Sequence, residues 1–127
     1  MQHLTPFQKL FDEALEYQQA IELPIDENKL EGDLTEAVQI NARTGKMLAD
    51  AKWYQDDAIK NNIAKDLATF ITLPALTLNK FVAAYCKEQN YLVNWIERLN
   101  KASDKKAKAC ITLISKIKAE AFNQRFV

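Results

Sequence analysis

The sequence predicts an all-α fold: a short N-terminal helix packed on a long antiparallel helical hairpin with coiled-coil character. Three observations predict it. Glycine and proline number only two and three in 127 residues, so tight turns between strands have almost no raw material. Apolar residues recur at steps of three and four over most of the chain, which is the helical period. Apart from Pro6 and Gly45, the breakers fall in two places, Pro24 to Gly32 and Pro74, and these divide the chain into three helical stretches. The length suits one domain, expected over 1–127, with enough chain to bury a core without disulfide or metal.

The first helix is expected over 5–22. Thr5 can cap it, Pro6 suits its first position and Gln8 can complete a capping box. Phe7, Leu10, Phe11, Ala14, Leu15 and Ile21 fall mostly on one face. Leu23-Pro24 ends it, and Ile25 to Gly32 reads as an acidic loop. A second helix is expected over 33–71, starting at Asp33 or Thr35 and ending before Leu73-Pro74, because a residue preceding proline is pushed out of the helical region.

The third stretch, 76–122, carries Leu78, Val82, Tyr85, Gln89, Leu92, Ile96, Leu99, Ser103, Lys106, Cys110, Leu113 and Ile117 at spacings of three and four. This is a coiled-coil-like seam weakened by its polar members. It reads either as one helix or as two meeting at Ser103-Asp104, both good caps.

Thr44-Gly45-Lys46 resembles the end of a phosphate-binding loop at first sight. Such a loop needs several glycines so that backbone N–H groups can curl round the phosphates. Here Ile40 stands where an earlier glycine should, Met47 follows the lysine, and no strand precedes. The stretch therefore reads as helix interior, where Gly45 costs about 1 kcal/mol relative to alanine, and a close neighbour at Gly45 is expected.

Residue types needed for chemistry are scarce. His3 is the only histidine and belongs to the terminus, so histidine-based acid/base catalysis and histidine-rich metal sites lose their support. Asp12, Glu13, Glu16, Asp56 and Asp57 read as solvated helix faces. Cys86 and Cys110 are far apart and lack a CxxC partner, so they read as free thiols in a reducing compartment. No catalytic residue, cofactor or metal is expected. No window approaches the roughly 20 apolar residues of a spanning helix, so no membrane association is expected and the cytoplasm is the expected location.

Net charge is zero but unevenly spread. Residues 1–36 hold nine acids and two bases (−7), residues 37–100 six and eight (+2), and residues 101–127 two and seven (+5). The basic end places Lys101, Lys105, Lys108 and Lys116 along roughly one helix face, with Lys118 near its end. Such a stripe can bind phosphate backbones through counterion release, and a solvated lysine face is the plainer reading. The aromatic residues Trp53, Tyr54, Tyr85, Tyr91 and Trp95 read as core, with one or two rings at a partner surface.

The stretches NWIERLNKA (Asn94 to Ala102) and LISKIKAE (Leu113 to Glu120), and more loosely ARTGKMLADAK (Ala42 to Lys52), resemble parts of small all-helical proteins of unknown function encoded by bacteriophages and prophages. The resemblance covers about half of the chain. It implies a phage or mobile-element context and a neighbourhood of DNA metabolism, and it carries no functional residues. The leading expectation is a non-enzymatic interaction protein that self-associates or docks a protein partner through Leu92, Trp95, Ile96, Leu99, Leu113 and Ile117. The alternative is a nucleic-acid-binding accessory using Lys101, Lys105, Lys108, Lys116 and Lys118.

Overall fold

The computed structural model describes residues 4–65 and 71–125, without the side chains of Ile63, Val82, Tyr85 and Arg125. His3, the seam side chains of Val82 and Tyr85, and the expected passage of the second helix through 66–70 lie outside what is described. The protein is all-α. Its elements are α1 (Pro6–Glu22), a 3-10 turn (Glu27–Lys29), α2 (Leu30–Lys65), α3 (Ala75–Tyr85) and α4 (Lys87–Arg125).

The start of α1 is as its sequence predicts. The Gln8 N–H donates to Thr5 Oγ1 at 3.2 Å and the Thr5 N–H donates to Gln8 Oε1 at 3.0 Å, so two otherwise orphaned donors are satisfied reciprocally. The helix buries Leu10 and Ala14. At its end Leu23 is extended, as a residue before proline should be.

The expected loop over Ile25 to Gly32 is corrected. Asp26 caps the 3-10 turn by accepting from the Asn28 N–H at 2.9 Å, and Asp33 Oδ2 reaches back to the Asp26 N–H at 2.9 Å. With Asp26 held from both sides, the turn runs directly into α2, which begins at Leu30 rather than Asp33, and Gly32 lies inside its first turn. Nothing lies within 4 Å of where a Cβ on Gly32 would stand.

The third stretch is also broken elsewhere than at Ser103-Asp104. Cys86 is the single residue between α3 and α4, while Ser103 and Asp104 lie within the unbroken 39 residues of α4, roughly 58 Å at 1.5 Å per residue. The first helical bond of each new helix runs back to the residue before it: the Leu78 N–H donates to the Pro74 carbonyl at 2.9 Å, and the Asn90 N–H to the Cys86 carbonyl at 2.8 Å.

α2 and α4 run antiparallel. Asn41 bonds to Asn100 and Ser103, Gln55 to Asn90, and Asn62 to Cys86, so residue numbers rise on one helix as they fall on the other. α1 lies on this hairpin. Leu10 and Ala14 from α1, Met47 and Ala51 from α2, and Leu92, Val93, Ile96 and Leu99 from α4 form one buried cluster. Each large apolar side chain buried there contributes about 1.5–3 kcal/mol.

Further along the hairpin the contact is polar and close. Asn41 Nδ2 donates to the Asn100 carbonyl at 3.0 Å, and Asn100 Nδ2 donates to the Asn41 carbonyl at 2.9 Å. Each short side chain thus reaches the other helix's backbone, which only a close approach allows. Thr44 and Ser103, both fully buried, complete the clasp: Asn100 Nδ2 also donates to Thr44 Oγ1 at 3.1 Å, and Asn41 Nδ2 to Ser103 Oγ at 3.3 Å. The neighbour expected at Gly45 is Asn100, whose Nδ2 would lie 3.8 Å from an added Cβ, an ordinary contact.

Candidate interaction surfaces

The aromatic residues gather where α1 crosses the hairpin. Phe7 meets Tyr54 edge-on with ring centroids 6.2 Å apart, and Tyr54 meets Trp53 at 5.2 Å. One turn further along α1, Phe11 packs edge-on against Trp95 at 5.1 Å and stacks on Tyr91 at 6.2 Å. Trp95 is fixed by its indole N–H, which donates to Gln18 Oε1 at 2.7 Å. Beside this array lies a cleft of about 680 Å³ walled by Leu4, Phe7, Phe11 and Tyr91, with Asp12, Lys87 and Glu88 as its charged members. Phe11 is 37% exposed, and Tyr91 and Trp53 are each 60% exposed. A cluster of exposed rings held in fixed mutual geometry is an adhesive surface with little side-chain entropy left to lose.

The expected interaction seam divides. Leu92, Ile96 and Leu99 are buried in the core; a partner cannot reach them in the folded chain, because the seam is spent against α2 and α1. Trp95 and Leu113 are half-buried and Ile117 is 44% exposed.

The lysines divide as well. Lys101 pairs with Glu97 at 3.4 Å and Lys108 with Asp104 at 2.8 Å, both one helical turn back, and Asp104 raises the pKa of Lys108 through that hydrogen bond. Lys105 and Lys116 are exposed, and Lys118 lines a second cleft with Ile114, Ile117 and the start of α2. Two of the five candidate phosphate contacts therefore already have carboxylate partners, which thins the charge available to a nucleic acid.

Lys106, a weak seam position by sequence, has a different role. Its ammonium donates to the carbonyls of Ala20 at 3.1 Å and Leu23 at 2.9 Å. It caps the C-terminal end of α1, where the helix dipole favours a cation. Glu13 is likewise no solvated carboxylate. Arg43 Nε donates to its two oxygens at 2.8 and 3.1 Å, and the Tyr17 hydroxyl donates to Oε1 at 3.4 Å. Burial, then the Glu13 charge, pushes the Tyr17 phenol above its ordinary pKa. Sequence reasoning missed both ties, because each joins residues far apart in the chain.

Thr44-Gly45-Lys46 lies inside α2, and the Thr44 hydroxyl donates to the Ile40 carbonyl at 2.7 Å. Gly45 has no positive φ. The backbone amides there belong to a helix and cannot curl round a phosphate. Cys86 and Cys110 are free and buried; burial foremost, with the Asp33 charge, raises the Cys110 thiol against an opposing effect of Lys106. Among the described residues no group of three His, Cys, Asp or Glu side chains is placed to hold a metal ion, and no helix is long and apolar enough to cross a membrane. Comparison with protein families, with curated proteins and with solved structures found no match to this chain.

Proposed function

We propose that this chain is a non-enzymatic helical interaction protein, acting in the cytoplasm through protein–protein contacts made by the aromatic cleft between α1 and the start of α4. The observation that carries this reading is the exposed pair Phe11 and Tyr91, stacked on one another and buttressed by Trp95 beside an apolar cleft. Exposed apolar groups gathered in this way mark interaction sites, since scattered ones need no explanation but clustered ones remain wet at a cost. Tyrosine and tryptophan are also the residues that most often dominate binding energy at protein interfaces.

A photo-crosslinking amino acid placed at position 91 tests this in cells that express the chain, with position 105 on the lysine face as the comparison. Covalent adducts to protein are expected at 91 and not at 105. Adducts at neither position, or equally at both, would remove the cleft as the working surface.

A further inference from the structure

The exposed surface between α1 and α4 is apolar along its middle and charged along its walls. Leu4, Phe11 and Tyr91 line one cleft, and Leu15, 47% exposed, continues the apolar strip one turn along α1, about 40° round the helix from Phe11. The α1 wall of the cleft carries Asp12, and the α4 wall carries Lys87 with Glu88 next to it. Arg98, also exposed, stands about two turns beyond Tyr91 and about 20° round α4 from it. Among the described residues Asp12 and Arg98 have neither a hydrogen-bond nor an ion-pair partner, whereas Lys101 and Lys108 are paired along α4. The strip thus has an unpaired acid on one wall and an unpaired guanidinium on the other.

α1 and α4 run parallel, since Phe11 lies against Tyr91 and Trp95 while Lys106 reaches the end of α1. On that scale Arg98 stands level with Glu16, one turn past Asp12. Long side chains on a helix lean towards its N-terminus, which returns the Arg98 guanidinium to the height of Asp12. A two-fold axis parallel to the helices lays α1 of one copy over α4 of a second at the same height, so that each Asp12 meets the other copy's Arg98 and the two Phe11–Tyr91 pairs close on one another. A two-fold axis across the helices would instead set α1 on α1, acid against acid. We propose that the chain pairs with a second copy in the parallel arrangement, through the strip of Leu4, Phe11, Leu15 and Tyr91 and two reciprocal Asp12–Arg98 ion pairs. The proposal rests on the reading of the cleft as a protein-docking surface, and names its occupant. A foreign partner would have to carry the same polarity in reverse order, which a second copy supplies by symmetry. The net charge of zero adds no long-range repulsion between copies.

Sedimentation of the purified chain, from micromolar to near-millimolar concentration and at about 50 and 500 mM salt, is the test, with Asp12→Lys and Arg98→Glu made singly and together. The wild type is expected to reach a species of two chains and stop there, and to need more protein at the higher salt. Each single variant is expected to need at least ~10-fold more protein, a difference of about 1.4 kcal/mol. The chain with both changes again sets opposite charges against each other, so it is expected to pair within about 3-fold of the wild type. An equimolar mixture of the single variants also sets opposite charges together at both contacts, and is expected to pair better than either variant alone. Helicity by circular dichroism confirms that each variant folds, and Asp12→Asn or Arg98→Gln carries the weakening arm of the test for any that does not. A wild type that stays monomeric throughout or assembles past two chains, single variants that pair like it, or a double variant as weak as the singles would overturn the proposal. A monomeric wild type together with adducts at position 91 to a different protein would sink the self-pairing and leave the docking role of the cleft standing.

Discussion

Asn41 and Asn100 form the most exacting contact of the fold, because each donates to the backbone of the other helix and neither can slide without breaking both bonds. Replacing either by alanine removes two half-buried side-chain bonds across the helix pair, at a cost of about 1–2 kcal/mol. A double-mutant cycle on Asn41→Ala and Asn100→Ala, read by urea unfolding, is expected to show a coupling of about 1 kcal/mol; strict additivity would mean the clasp is not a unit. Gly45 sits one residue from Thr44 and has room for a methyl group against Asn100. Gly45→Ala is therefore expected to stabilise the chain by about 0.5–1 kcal/mol, since helix propensity is gained without a clash. Cys110 supplies a pH dependence. Its thiol pKa is raised in the folded state, so the stability it contributes is present below the ordinary thiol pKa and is lost as pH rises through the raised one. The urea midpoint is expected to fall as pH rises past the ordinary thiol pKa of about 8.5, and to fall less in Cys110→Ala; equal falls would exclude the thiol as a cause.

At the scale of elements, Lys106 fastens the C-terminal end of α1. Lys106→Ala, which uncaps the Ala20 and Leu23 carbonyls, is expected to cost about 1 kcal/mol, whereas exposed Lys105→Ala is expected to stay within ~0.5 kcal/mol of the wild type. Equal effects would show that the cap contributes nothing. The elements were legible in proportion to how local their causes are. The start of α1 was readable to the residue because Thr5, Pro6 and Gln8 act over one turn. The start of α2 was missed by three residues because it depends on Asp33 reaching back to Asp26, and the break at Cys86 was not readable because Tyr85-Cys86-Lys87 contains no breaker. The seam was visible as a pattern, but its partner was not: packing within one chain and between chains demands the same spacing. The aromatic cleft left a weaker trace, since Phe11 and Tyr91 recur at helical positions like core residues and only the crossing of α1 over α4 brings them together.

At the scale of the molecule, the uneven charge has an internal outlet. Lys106 shares a cleft with Asp26, Asp33 and Glu36, and Lys101 and Lys108 are paired along α4. Titration of labelled single- and double-stranded DNA, followed by fluorescence anisotropy at about 50 and 200 mM salt, is accordingly expected to show no salt-sensitive binding. An affinity that collapses with salt, and disappears when Lys101, Lys105 and Lys108 become glutamine, would reinstate the nucleic-acid reading.

The cap that Lys106 places on α1 also sets a timetable for synthesis. Ala20 and Lys106 are separated by 86 positions, and the indole that Gln18 holds is 77 positions away. At 5–20 residues per second a ribosome needs roughly 4–17 s to travel from the end of α1 to its fastening point. During that interval the apolar face of α1 and the α2 half of its seat, Met47 and Ala51, have been made and the α4 half, Leu92 to Leu99, is still to come. The first helix to emerge thus waits for α4 to complete its seat, and a nascent chain of this protein spends those seconds with Leu10 and Ala14 only partly covered.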